Sequence, residues 1–151
     1  MKFLFRVLAL SASMICTTAS AQGVDNYSGV PITSLLTVAF SNSSSDLRLT
    51  TEEAAQLQDA PNAALVTVRG RTSTNQPSAK DEALALARAI SARNYLIKRG
   101  VSPLKISLNY ASAMDFIADN STPEGKLENQ RVEIEMIYVL PAAALQPSSN
   151  H

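Results

Sequence analysis

The chain of 151 residues has one cysteine, one histidine and no tryptophan, and its 13 Lys and Arg balance 13 Asp and Glu. Each scarcity closes off a class of function. The histidine is the terminal His151 and the cysteine is Cys16, so one chain cannot assemble a Cys/His dyad, a Ser/His/Asp triad or a zinc site of the usual ligand type. An enzyme built on this chain would have to work with carboxylates, lysine or serine alone. A formal net charge of zero lacks the cationic excess that neutralises phosphates, and the basic residues beyond the leader are scattered from Arg48 to Arg131 without a run. That distribution argues against nucleic acid as a partner. No metal or cofactor is implied.

The apolar stretch Val7 to Cys16 is about half of the roughly 20 residues that a membrane span needs. It follows Lys2 and Arg6 and precedes the small-residue signature Ala19-Ser20-Ala21, so residues 1–21 read as a secretory signal peptide cleaved after Ala21. A lipid anchor on Cys16 is the alternative, but bulky Ile15 stands where a small residue is expected. Cleavage leaves 130 residues with no cysteine and two more acidic than basic groups. Small exported domains often rely on disulfides; this one has to be held by packing, for which its length suffices.

Beyond an N-terminal segment, residues 22–34, the patterning predicts strands alternating with helices. Leu35 to Phe40 reads as a first strand, with Leu36, Val38 and Phe40 on one face. Thr50 and Glu53 have the spacing of a capping box, opening a helix from Thr51 to near Ala60 that Pro61 ends. Leu65 to Arg69 is a second strand with Val66 and Val68 inward, and Gly70 to Pro77 a polar turn. Ser78 and Asp81 open the longest helix, Ala79 to about Arg99, with Gly100 at its C′ position. Ile106 to Tyr110 and Arg131 to Met136 alternate as a third and a fourth strand, and Thr122-Pro123 starts a short helix between them. The order β-α-β-α-β-(α)-β predicts an α/β (α+β) sandwich: a mixed four-stranded sheet with right-handed crossovers, covered by helices. Residues 141–151, rich in Pro, Ala and Ser, read as a flexible tail.

Three stretches carry a resemblance. Leu84-x-x-x-Arg88-Ala89-x-x-x-x-x-Tyr95-Leu96 is followed by Gly100-Val101-x-x-x-Lys105-Ile106-Ser107, and then by Ala118-Asp119-Asn120-x-Thr122-x-x-Gly125-Lys126-x-x-Asn129-Gln130-Arg131-Val132-Glu133-Ile134. Together they resemble the OmpA-like domain, the peptidoglycan-associated C-terminal domain of outer-membrane protein A, the Pal lipoprotein and the stator protein MotB. The domain spans residues 35–140 on this reading. The resemblance implies a Gram-negative periplasmic module, attached to the cell envelope near the outer membrane, that holds the diaminopimelate side chain of peptidoglycan without cutting it.

The family's site combines an Asp in a Gly-x-Thr-Asp turn, the Arg of the Arg-Ala motif and the last Arg of Asn-Arg-Arg. Here the turn is Gly70-Arg71-Thr72-Ser73, so Ser73 stands at the Asp position; Arg88 is present, and Asn129 and Arg131 are kept while the middle Arg is Gln130. Arg88 can grip a ligand carboxylate through two parallel bonds, and Arg131 can add a cationic donor. A neutral Ser73 facing the ligand ammonium forfeits about 1–2 kcal/mol, roughly 5- to 30-fold in affinity. Asp81 lies two turns up the helix from Arg88, about 10 Å away, and can either bracket a zwitterion with it or only cap the helix.

Leu86, Ile90 and Ile97 form a second apolar stripe on the long helix. They either meet the N-terminal segment near Val30 and Ile32 or serve as an interface for an envelope protein or a second copy. A descendant that has lost peptidoglycan binding and acts as an interaction subunit is therefore the alternative function. Glu133 and Glu135 share a strand face, as paired catalytic carboxylates would, but alternating Glu is ordinary on a half-exposed strand.

Overall fold

The computed structural model describes residues 30–139. The expected signal peptide, most of the expected N-terminal segment and the expected tail lie outside the described residues. Four strands, β1 (Pro31–Ala39), β2 (Leu65–Arg71), β3 (Ile106–Ala111) and β4 (Arg131–Val139), form one mixed sheet in the order β1-β4-β2-β3. β4 runs antiparallel to both β1 and β2, whereas β2 and β3 are parallel. The parallel pair needs a crossover, which is the long helix α2 (Ala79–Lys98). The α+β sandwich expected from the alternation is the fold observed.

Alternation decides which face is core. Leu36 and Val38 of β1, Val66 and Val68 of β2, and Val132, Ile134 and Met136 of β4 are buried under the helices. Each full burial contributes about 1.5–3 kcal/mol. The odd-numbered partners emerge on the reverse face, where Arg69 pairs with Glu133 and Glu135. Those two glutamates thus form a charged ladder with an arginine between strands, a structural arrangement.

α2 lies against β2 and β3 through Ala85, Ala89, Ala92 and Leu96, all fully buried. The small side chains let its backbone approach the sheet so closely that a Cβ on Gly70 would sit 2.0 Å from the Ala85 carbonyl oxygen. Ser78 caps the helix by accepting from the Asp81 amide at 3.1 Å, and Gly100 ends it with φ +98°, a conformation glycine adopts without penalty.

Element boundaries differ from expectation where local signals compete. β1 begins at Pro31 rather than Leu35, because pairing with β4 continues past the apolar run to Val139. α1 (Thr51–Gln56) has the expected capping box, with Thr50 N donating to Glu53 at 2.7 Å and Glu53 N to Thr50 at 3.2 Å. It stops one turn early. Pro61 disfavours helical geometry before it, and Ala60–Asn62 instead forms a 3-10 turn, with Leu57, Ala60 and Ala63 closing the core. β2 extends through Gly70 and Arg71, the start of the expected polar turn, because Arg71 is neutralised by Asp115 at 2.8 Å.

The close approach at Gly70 makes it sensitive to one methyl. Gly70→Ala is expected to lower stability by about 1–3 kcal/mol through displacement of α2, read as a fall in the denaturation midpoint. An unchanged midpoint would mean that the helix can ride outward without loss.

Candidate functional site

The carboxyl end of β2, the turn after β1 and the start of β4 converge on one side chain. Arg88 projects from α2 and is fully buried. Its Nε donates to the Ser44 carbonyl at 2.9 Å, Nη1 to the Arg71 carbonyl at 2.8 Å, and Nη2 to the Ser41 carbonyl at 3.5 Å and to Gln130 Oε1 at 3.3 Å. The Phe40 ring lies 5.1 Å from the guanidinium carbon, a cation–π contact. Every acceptor is neutral. Among the described residues no carboxylate pairs with Arg88, and burial lowers its pKa to about 10, which still leaves it charged at neutral pH.

A buried cation without a counter-ion is costly unless dipoles solvate it. The backbone carbonyls do so from inside, whereas Gln130 does so from the rim of a groove. That groove, of about 380 Å³, is lined by Asn42, Ser73, Ser121, Pro123, Lys126, Leu127 and Gln130. Gln130 therefore stands between the groove and the guanidinium. The two Nη2 bonds are the longest that Arg88 makes, so this nitrogen is the one most open to a better acceptor.

The groove walls are tied together by asparagines. Asn129, fully buried, accepts from the amides of Ile117 and Ala118 at 2.8 and 3.2 Å, and donates to the Ala118 carbonyl and Asn120 Oδ1 at 3.0 and 3.1 Å. Asn120 in turn donates to the Ser73 carbonyl at 2.8 Å and to Asn75 Oδ1 at 2.6 Å. The chain of bonds links the Ser73 turn to α3 (Pro123–Asn129). Gly125 completes the fit: a Cβ there would lie 2.0 Å from the Asp119 carbonyl oxygen. Thr122 caps α3 by accepting from the Gly125 amide at 3.0 Å, and Pro123 follows at the first position.

The expected site residues are thus distributed unequally. Ser73 lies on the groove and Arg88 one layer behind it. Asn129 uses its amide oxygen and nitrogen to hold the walls. Arg131 projects from the opposite sheet face to Val132, where it bonds Glu133 at 2.7 Å and the Asp115 carbonyl at 2.7 Å, and its Nη1 finds no partner among the described residues. Asp81 accepts from the Ser78 hydroxyl at the mouth of α2 and has no bond to Arg88. Leu86 and Ile97 are half-buried and Ile90 is 40 % exposed. Val30 and Ile32 are exposed in and beside β1, at the sheet edge opposite β3, so the part of the N-terminal segment that is described does not cover that stripe.

Gln130, Asn120, Lys126, Asn42 and Ser121 were not singled out as site residues from the sequence. The sidedness of Arg131 was legible: it shares the phase of Glu133 and Glu135, not that of Val132 and Ile134. Among the described residues no helix is long and apolar enough to cross a membrane, and no three His, Cys, Asp or Glu come together to hold a metal.

Asn129→Ala removes the acceptor of two backbone amides. The expected cost is about 1–3 kcal/mol, with hydrogen exchange accelerated at Ile117 and Ala118 well before Ile134. Unchanged protection at those two amides would show that Asn129 does not clamp the loop.

Comparison with known proteins agrees with this architecture. The chain is 36% identical over 72 residues to a candidate type IV secretion system outer membrane lipoprotein of Brucella suis, a match covering 48% of this chain and 42% of that relative. It is 34% identical over 89 residues to the peptidoglycan-binding protein ArfA of Mycobacterium tuberculosis, covering 59% of this chain and 27% of the relative. The matches therefore span less than half the length of these curated relatives. The solved OmpA-like domain of FopA1 from Francisella tularensis shares the fold at a TM-score of 0.57 and 21% identity, over 73% of this chain and 75% of that one. The OmpA family profile matches residues 29–130, most of the described domain: the chain belongs to the OmpA family and is a non-catalytic module.

Proposed function

We propose that the protein is a periplasmic module that binds peptidoglycan weakly, through the groove in front of Arg88. The observation that carries this reading is a fully buried guanidinium with neutral acceptors alone, screened from the groove by a single amide side chain. A carboxylate entering the groove displaces Gln130 and takes Nη2, replacing a long bond to a neutral acceptor with an ion pair. It also supplies the counter-charge that the interior lacks. The diaminopimelate side chain of the stem peptide provides such a carboxylate, and ArfA, which shares part of this domain, is named for peptidoglycan binding.

Arg131 supports the sheet face behind the site rather than the ligand, and Asn129 shapes the walls. Export through the leader, with cleavage after Ala21, places the domain beside its ligand. The alternative of an interaction subunit retains Ile90 as its one well-exposed contact on the stripe, which explains less of the structure than the groove does.

Co-sedimentation with purified sacculi containing diaminopimelate, at moderate salt, tests this. The unmodified mature chain is expected to sediment. Gln130→Glu keeps nearly the same volume but gives Arg88 an internal carboxylate; it should remain folded, with an equal or higher denaturation midpoint, and lose most of its binding. Arg88→Ala should lose binding as well. A wild-type chain that stays in the supernatant, or a Gln130→Glu chain that sediments undiminished, would remove the groove as the site.

A further inference from the structure

We infer that the groove selects a carboxylate whose neighbouring amine is acylated, as at a cross-link between stem peptides, over a free zwitterionic end. This inference rests on the peptidoglycan reading and adds to it the form of ligand preferred. The groove carries cationic character and no acid. Lys126 lines it, is exposed and takes part in none of the ion pairs among the described residues, and Arg88 lies behind Gln130. The remaining polar lining consists of Asn42, Ser73, Ser121 and Gln130, all neutral.

Glu124 and Glu128 flank the lining on α3 but are not among the residues that line the groove. Asp119 directs Oδ1 to the amide and hydroxyl of Ser121, at 2.9 and 2.7 Å, and lies outside the lining. Asp81 accepts from Ser78 at the start of α2. A ligand that brings both a carboxylate and an ammonium therefore finds a partner for the first and none for the second, while Lys126 repels the ammonium. Acylation removes that charge. It leaves the carboxylate free and replaces the ammonium with an amide, whose N–H and C=O suit serine hydroxyls that both donate and accept.

The distinguishing experiment is titration of the mature chain with two soluble muropeptides that differ only at the diaminopimelate side-chain amine, one free and one acetylated. A third, with the side-chain carboxylate amidated, serves as control. The acetylated form is expected to bind about two- to five-fold more tightly than the free amine, the scale of removing one exposed like-charge contact. The amidated form should not bind, and Ser73→Asp should reverse the preference between the first two. Equal binding, or tighter binding of the free amine by the unmodified chain, would overturn the selectivity and leave the peptidoglycan reading standing. Binding of neither the free nor the acetylated form would overturn both.

Discussion

A guanidinium taken out of water has to be solvated by something, and around Arg88 that requirement organises the end of the domain. The carbonyls that meet it belong to Ser41 and Ser44 after β1 and to Arg71 at the end of β2. The arginine thereby ties the loop after β1 to the end of β2. Phe40, the last apolar residue of the first strand's pattern, backs the ring face. Without the cation the buried Arg71 carbonyl would lose the arginine donor it has here, a loss of about 1–3 kcal/mol. The same residue that a ligand carboxylate would seek is therefore also a structural staple, and the two roles share one nitrogen, Nη2, at which the structural bonds are longest.

The packing that puts Arg88 there begins with small residues. Gly70 and Ala85 allow α2 to touch β2 at backbone distance, and Ala89 and Ala92 carry that contact along the helix. A helix standing farther from the sheet would lift Arg88 away from the carbonyl of Arg71, which belongs to the residue next to Gly70. On the reverse face the arrangement is of another kind: Arg69, Glu133, Glu135, Arg131, Asp115 and Arg71 form ion pairs, although Nη1 of Arg131 has no partner among the described residues. The sheet thus separates a layer where charges are matched from one where a single charge is not. An unmatched charge is the more informative of the two, because a partly exposed pair such as Arg69 with Glu135 contributes little either way.

Much of this architecture was legible from residue pattern, and the failures have physical causes. Alternation in Val66 and Val68 and in Val132, Ile134 and Met136 identified the core face, and Ser78, Gly100, Thr50 and Thr122-Pro123 marked helix ends through local hydrogen bonding. The pattern overextends the helix after Thr51 because its apolar residues continue to Ala60; Leu57 and Ala60 are buried, but Ala60 lies in a 3-10 turn that Pro61 tolerates. Arg71 was read as turn because a charged residue looks like solvent exposure, and only the tertiary contact with Asp115 makes it a buried strand residue. The site was legible in part. Ser73 and Arg88 could be placed from the motif that carries them, but the role of Gln130 depends on an amide orientation set by a helix 42 residues earlier, which no local pattern encodes.

On the resemblance drawn from the sequence, Ser73 stands where the family motif has an acid and Gln130 where it has an arginine, differences of opposite sign. An acid at position 73 and an arginine at position 130 would carry one negative and one positive charge to the same groove. Losing the acid alone would leave three cationic groups, Arg88, Lys126 and the arginine, around a small cavity with no anion among its walls. Repulsion between them would be strongest in the partly desolvated space behind the rim, where screening is weakest. Losing the arginine as well lowers that repulsion and supplies in its place a neutral acceptor that Arg88 can use. Neutral side chains at both positions therefore suit a groove without an acid, and on the proposed reading they leave Nη2 guarded by an amide that a carboxylate would displace.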